Sequence, residues 1–463
     1  MDKIKLLKTR RSDLLNAGKE IRKNIADLVD EQSFVELSAY SFSKNDFYGE
    51  GAQGEGVVTG YATVDGNPVY VVAQNFAVLS GGLSKANCDK IVKCLNAAEK
   101  SGSPVVYLLN SHGVQIGEGV DVLEGIASVV AKTVSLKRVV PQFAVCLGDV
   151  FGASALIAAN ADFTFFTKEA CVVSGSPFVI SAVGGKNLPK AEVGGYEAHV
   201  KSGVATFGVK NIAEARAKMS AVLDLLPAYG AAVVDCTDDM NRTTAALNKS
   251  VDADKVVAAL FDKGTFVEMN AVSYPEIITG IGRVGGISTA VVAFRGDENG
   301  VELTAGNLRK IREFIDFVYG ADLPVINLVN AKGIKQSPCT ENSAVLKELT
   351  EVVYSYSLIE AGKISVVYGA AVGVGYSVFA AKSMGYDYTV AFANGHIALF
   401  DKQTGAEVAF GCVKNEEKGK LAEKYADENA DPIGAAKGGY IDDVIEPALV
   451  RPYVIASLQV LIG

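Results

Sequence analysis

Val139-Val140-Pro141-Gln142-Phe143-Ala144-Val145-Cys146 leads through Leu147 into Gly148-Asp149-Val150-Phe151-Gly152-Ala153-Ser154, and small residues from Ala155 to Asn160 follow. The pattern predicts an apolar strand, a glycine loop and a short helix. A second copy runs from Ile364 to Tyr368, then Gly369-Ala370-Ala371-Val372-Gly373-Val374-Gly375, then a helical stretch from Tyr376 to Lys382. Gly148 and Gly152 pair with Gly369 and Gly373, since 369 − 148 = 221 and 373 − 152 = 221. Outward from these loops the correspondence continues. Pro104-Val105-Val106, running to Asn110 and Gly113, returns as Pro324-Val325-Ile326, running to Asn330 and Gly333, at 324 − 104 = 220. Val57-Val58-Thr59-Gly60 returns as Ile277-Ile278-Thr279-Gly280, also at 280 − 60 = 220, and Phe34-Val35-Glu36-Leu37 as Phe266-Val267-Glu268-Met269, at 266 − 34 = 232. A period this long is a duplicated domain, not a solenoid unit.

Each copy orders its elements as hairpin, helix, strand, glycine loop, helix, strand, loop, helix. Gly56 to Ala73 alternates around Asp65-Gly66, and Glu276 to Ala293 around Gly285-Gly286, which are hairpin signals. Helix-compatible stretches follow at Lys85–Lys100 and Leu308–Tyr319. Such alternation predicts an α/β fold of two tandem layered domains. The polar stretch from Asn248 to Asp254 places their boundary near 250, giving 1–250 and 251–463. Residues 2–30 read as one amphipathic helical arm, with Leu6, Leu7, Leu14, Leu15, Ile21 and Ile25 at helical spacing.

Composition narrows the function. Across 463 residues, 49% are hydrophobic and only 21% charged, enough apolar material for two large cores. A net charge of −9 argues against a nucleic-acid surface, whose affinity depends on clustered Lys and Arg. Cys88, Cys94, Cys146, Cys171, Cys236, Cys339 and Cys412 are scattered without a C-x-x-C pair, which argues against a disulfide framework and a zinc ribbon. The start of the chain lacks a signal-peptide core and no apolar run spans a bilayer, so a cytoplasmic protein is expected.

Side chains suited to catalysis are few. His112, His199 and His396 stand in no metal-ligand spacing, and no G-x-S-x-G elbow or P-loop lysine is present. Gly280-Ile281-Gly282-Arg283-Val284-Gly285 matches G-x-G-x-x-G, but a strand pattern follows it, so a dinucleotide site is rejected. The loops themselves are the better candidates. A strand–glycine–helix turn aims backbone N–H groups at one point, the arrangement of an oxyanion hole.

These features resemble the biotin-dependent acyl-CoA carboxyltransferases: the propionyl-CoA carboxylase β subunits and the α subunits of methylmalonyl-CoA and glutaconyl-CoA decarboxylases. The resemblance runs from about Leu28 to Leu461. It is strongest at Gly54–Gly82, Asn110–Val120, Gly194-Gly195 with His199-Val200-Lys201-Ser202-Gly203-Val204, and the tail Asn429-Ala430-Asp431-Pro432 through Gly439-Tyr440-Ile441-Asp442-Asp443-Val444-Ile445 to Arg451. It implies two crotonase-like domains, commonly assembled as hexamers, with the active site between domains of different subunits. Acyl-CoA would lie on the first domain, with Ser80, Gly81, Gly82, Ser111, His112, Gly113 and Ser377 among the substrate-binding positions. Biotin would lie on the second, beside Gly333 and Gly373. The oxyanion holes carry over to Gly152-Ala153 and to Val374-Gly375. A deprotonated biotin nitrogen would take the substrate's α proton, so no protein base and no metal would be needed.

The chain departs from the family at Asn110-Ser111-His112-Gly113-Val114-Gln115, usually Asp-Ser-Gly-Gly-Ala-Arg, and at Ala331-Lys332-Gly333-Ile334, usually Val-Pro-Gly-Phe. It also lacks Met-Lys-Met, the usual biotin attachment site. Biotin is therefore expected on a separate carboxyl carrier protein, with a biotin carboxylase subunit or membrane decarboxylase subunits as further partners. Two other readings stay open: a biotin-independent crotonase-type enzyme, and a non-catalytic scaffold suggested by His112, Gln115 and Lys332. On the transferase reading, Gly375→Val is expected to block the second loop with the fold intact.

Overall fold

In the computed structural model, residues 2–41, 53–186, 188–230, 232–249, 252–297, 299–411 and 417–462 are described. Cys412 and positions 250 and 251, where the repeat boundary was expected, lie outside them. The chain forms two compact units, Met1–Ser220 and Ala221–Gly463, so the division falls ahead of 250. The reason is backbone pairing. Ser288 N–H donates to the Ala232 carbonyl and Val234 N–H to that of Gly286, tying the 232–234 segment to the second hairpin.

Strand β1 (Val35–Leu37) pairs antiparallel with β2 (Val57–Val64), and β2 with β3 (Asn67–Gln74). Then β3, β4 (Val105–Ser111), β5 (Gln142–Phe151) and β6 (Phe163–Phe166) run parallel, with β7 (Cys171–Val173) on β5 and β8 (Phe207–Gly208) on β6. The second unit repeats this order. Strand β9 (Val267–Met269) precedes the hairpin β10 (Ile277–Val284) and β11 (Ile287–Phe294). An added strand β12 (Val301–Leu303) joins β13 (Val325–Ile334), followed by β14 (Lys363–Val372), β15 (Tyr388–Phe392), β16 (His396–Ala398) and β17 (Asp443–Ile445). Helices connect the parallel strands, as parallel pairing requires.

The turn residues act as read. Asp65 and Gly66 have φ of 48° and 81°, Gly285 and Gly286 of 60° and 83°, the left-handed pair that matches hairpin twist. The supposed dinucleotide motif lies in β10 and its turn. Gly280 is there because a Cβ would lie 2.6 Å from the Phe266 ring, and Gly60 likewise meets Phe34. The β10–β11 pair is buried along its whole length, whereas β2 leaves Tyr61 exposed and Thr63 half-buried. Val454, Ile455 and Leu458 of helix Val450–Ile462 belong to the core of its unit with Ile278, Val284 and Ile287, so the expected alternation is lost. The N-terminal arm is two helices, Lys3–Ala17 and Lys19–Leu28, meeting at Gly18. Leu14, Ile21, Ile25 and Leu28 are buried whereas Leu7 and Leu15 are exposed, so only the second helix is amphipathic throughout.

Connecting helices carry a duplicated device. Ser84 and Asn87 form a capping box on helix Lys85–Ser101, and Thr304 and Asn307 form one on helix Ala305–Ala321, at 304 − 84 = 220. One turn on, Lys90 and Lys310 point inward. Lys90 Nζ donates to the Val57 carbonyl at 2.6 Å, and Lys310 Nζ to those of Ser273 at 2.7 Å and Ile277 at 2.6 Å. Each anchors its helix to the first strand of the adjacent hairpin.

Candidate active site

The strands run further than the sequence suggested. β5 continues through Gly148 to Phe151 and β14 through Gly369 to Val372, because their far ends leave β6 and β15 for new partners. Asp149, Val150 and Phe151 pair with Cys171, Val172 and Val173; Ala370, Ala371 and Val372 pair with His396, Ile397 and Ala398. The loop thereby shrinks to one residue. Gly152 (φ 62°, ψ −127°) and Gly373 (φ 54°, ψ −117°) turn the chain straight into helices Ala153–Asn160 and Val374–Phe379. Both helices begin earlier than the sequence suggested. Only glycine adopts these angles freely.

That turn fixes which donors are available. Gly152 N–H is spent on the Val173 carbonyl at 2.9 Å, and Gly373 N–H on that of Ala398 at 3.0 Å. Among the described residues the next two N–H groups in each unit, those of Ala153 and Ser154 and of Val374 and Gly375, have no partner. Such first-turn N–H groups have no intrahelical acceptor. Gly152 therefore sets the geometry while Ala153 and Ser154 present the donors, in register with Val374 and Gly375. Ser154 was not among the residues singled out from sequence.

Several stretches of family resemblance hold these turns. Val172 N–H donates to the Gly194 carbonyl, and the His199 ring Nε2 meets the Val172 carbonyl at 2.6 Å, steadying the strand that accepts from Gly152. In the second unit Ile397 N–H donates to the Ala430 carbonyl, steadying the strand that accepts from Gly373. Asn110 and Asn330 act from the other side. The Asn330 carboxamide accepts from Ala370 N–H at 2.9 Å and donates to the Gly296 and Asp297 carbonyls. A Cβ on Gly369 would collide with it, and one on Gly148 would lie 3.0 Å from Asn110 Oδ1. Gln74 links the Asn110 N–H, at 3.1 Å, to Ser154 Oγ, at 2.8 Å.

The residues expected to bind substrate in the first unit come together. His112 N–H donates to the Ser80 carbonyl, and Leu83 N–H to that of Gly113. The Gln115 side chain donates to the Leu79 carbonyl at 2.9 Å. Gly81 (φ 63°) has no room for a Cβ against the Asn110 carbonyl oxygen, and a Cβ on Gly152 would lie 4.0 Å from Gly113 Cα. Gly113 and Gly333 hold φ of 113° and 98°, and a Cβ on Gly333 would stand 3.1 Å from the Val372 carbonyl oxygen. Ser377 lies one turn into the second helix, its N–H donating to the Gly373 carbonyl. It belongs to the other unit, apart in sequence and unit from the remaining substrate-binding positions. Gly375 is tighter than expected: a Cβ would lie 2.5 Å from the Ala331 carbonyl oxygen, so Gly375→Val would strain β13 as well as the turn.

Charged groups flank each turn. His112 Nε2 lies 3.0 Å from Asp149 Oδ2, and Lys190 Nζ reaches both Asp149 oxygens, at 2.7 and 2.5 Å. The His112 ring lies parallel to Phe151, with centroids 5.6 Å apart, and edge-on to Phe76 at 4.7 Å. Beside the second turn, Lys332 and Lys335 share Glu302, each at 3.6 Å. Burial pushes the Asp401 carboxyl up, but it is held below its ordinary value by Thr404, its own helix N-terminus and Lys332. No helix among the described residues is long and apolar enough to cross a membrane, and no group of three or more His, Cys, Asp or Glu there could hold a metal.

Residues 15–462 match the family described as the carboxyl transferase domain. The chain belongs to that family. It is 32% identical to the methylmalonyl-CoA decarboxylase α subunit of Veillonella parvula over 95% of this chain and 89% of that protein. To the propionyl-CoA carboxylase β chain of Saccharopolyspora erythraea it is 29% identical, over 95% and 87%. Among solved structures, a transcarboxylase 12S hexamer with methylmalonyl-CoA and methylmalonic acid bound superimposes with a TM-score of 0.91 at 27% identity, covering 99% of this chain and 95% of that one. The two sheets are thus tandem crotonase-like domains, and the chain is a carboxyltransferase of the biotin-dependent acyl-CoA carboxylase or decarboxylase type.

Proposed function

We propose that this carboxyltransferase moves a carboxyl group between carboxybiotin and the α carbon of a short acyl-CoA of the propionyl or methylmalonyl type, with one glycine turn serving each reactant. The carrying observation is the pair of unpartnered N–H groups at each turn. Ala153 and Ser154 would receive the negative charge that develops on a thioester carbonyl oxygen when the α carbon becomes nucleophilic. Backbone donors already aimed at that charge need no reorganisation during reaction. The second turn offers the same two donors, from Val374 and Gly375, and they fit the ureido oxygen of biotin. Biotin supplies the transferable carboxyl group. In this reading it arrives on a carrier protein, and the chain assembles as a hexamer like its structural relative. The relatives that act on methylmalonyl-CoA and propionyl-CoA support the acyl class.

Ala153→Pro and Val374→Pro are the decisive variants. Each removes one donor at a helix position where proline is tolerated. Loss of one such donor is worth about 10²–10³ in rate. The assay is CO2 release from methylmalonyl-CoA and malonyl-CoA by purified protein, with and without free biotin. The reading expects biotin-stimulated release, reduced by that factor in each variant at an unchanged melting temperature. Release that ignores biotin would favour the biotin-independent crotonase-type chemistry instead.

A further inference from the structure

The resemblance implies a transfer that needs no protein base, yet a histidine paired with a carboxylate stands beside the first turn. His112 follows β4, and Asp149 lies on the adjacent β5, three residues before Gly152. The parallel pairing of Ser111 with Val150 brings the two together across the sheet end. Asp149, ion-paired to Lys190, can only accept, so the 3.0 Å contact places the proton of the neutral imidazole on Nε2. Nδ1 is left as a lone pair, with no hydrogen bond among the described residues. Stacking on Phe151 and the edge of Phe76 fix the ring plane. The His112 side chain is 49% exposed while Asp149 is 10% exposed, the arrangement of an accessible base with a sheltered orienting carboxylate. Lys190, 60% exposed, is the cation that faces the pair, and the Cys171 thiol, whose pKa burial and then Asp149 push upward, is also nearby. A Cβ on Gly152 would lie 4.0 Å from the Cα of Gly113, the residue after His112, so the segment that carries His112 borders the first turn.

We propose that His112 is a protein base for acyl-CoA held at the first turn, giving this chain an α-proton exchange activity that needs no biotin. This rests on the reading that the thioester occupies that turn. In the step, the Cα–H bond breaks and its proton passes to His112 Nδ1. The electron pair moves into the enolate, whose oxygen the Ala153 and Ser154 N–H groups hold. The imidazolium is balanced by Asp149. Reversal returns a proton, exchanged with solvent on the ring, to Cα, so nothing is oxidised or consumed. Asp149 is a positioning residue, acting through the ring.

The experiment is deuterium incorporation into propionyl-CoA in D2O without biotin, followed by mass spectrometry, with CO2 release from methylmalonyl-CoA in the presence of biotin as the parallel assay. Wild type should incorporate one to two deuterons at Cα. His112→Ala should lose about a hundredfold in exchange rate, and added imidazole should restore a measurable part. Asp149→Asn should slow exchange without responding to imidazole. Biotin-stimulated release with no exchange in wild type would overturn the base and leave the transferase reading standing. Exchange unchanged in His112→Ala would overturn it as well. Absence of exchange, release and calorimetric CoA binding together would overturn both readings.

Discussion

At the scale of single residues, identical amino acids carry different loads according to what surrounds them. Gly81 and Gly102 both hold φ near +65°. A Cβ on Gly102 meets nothing within 4 Å, whereas one on Gly81 runs into the Asn110 carbonyl. Gly102→Ala should therefore cost about 1 kcal/mol, the left-handed penalty alone. Gly81→Ala should cost about 2–4 kcal/mol, strain and overpacking together, as chemical denaturation would read. Arg451 is the second case. It is 1% exposed, donating to the Leu260 carbonyl and Asp262 Oδ1, each at 2.6 Å. Arg451→Met would strand Asp262 in the interior, a loss of about 3–5 kcal/mol; an equal midpoint in urea for variant and wild type would refute this.

At the scale of elements, the duplication preserved the same side-chain anchors in both units. Asp30 accepts from Asp65 and Gly66 N–H and pairs with Arg216. Asp262 accepts from Gly285 and Gly286 N–H and pairs with Arg451, and 262 − 30 = 232 matches the offset between Phe34 and Phe266. Each acid clamps the turn of its hairpin. The hydrogen bond from Thr63 leads in lowering the Asp30 carboxyl below its ordinary 3.8, so its contribution is present above that pH and fades as pH falls through the lowered value. Lys90 and Lys310 work in the opposite direction. Burial lowers each to about 8 from an ordinary 10.5. The folded chain then releases these protons before the unfolded chain does, so stability should rise between about pH 8 and 10.5 and be flat with respect to these groups below that. Lys310→Met should remove part of the rise in denaturation midpoint across that window. It should also cost about 1–3 kcal/mol at pH 7, since buried carbonyls of Ser273 and Ile277 lose their donor.

At the scale of the whole molecule, the apolar surface argues for assembly. Phe178 and Val183 on helix Pro177–Gly184 are 81% and 86% exposed, and Ile116 and Val120 near the start of helix Val120–Ser135 are 87% and 77% exposed. Large exposed apolar side chains of this kind mark interaction surfaces. Light scattering should give a mass several times 48.5 kDa, and Phe178→Asp should lower it without shifting the far-UV circular dichroism spectrum. A monomeric wild type would contradict this.

The amino-acid sequence by itself determined the duplication, the α/β class, both hairpins and the two glycine turns. Each of these rests on local chemistry: a period of two, a left-handed turn pair, a glycine where strand gives way to helix. It did not determine where the strands end, because β5 and β14 are prolonged by partners that arrive later in the chain. Nor did it show that Gly152 spends its own N–H on β7, which leaves Ser154 rather than Gly152 beside Ala153 as an open donor, while Val374 and Gly375 stay open as the resemblance implied. His112, Asp149 and Lys190 are separated by 37 and 41 positions and share no motif. Only parallel pairing of β4 with β5 sets the first two side by side, since hydrogen bonds between strands carry register across gaps that local periodicity cannot span.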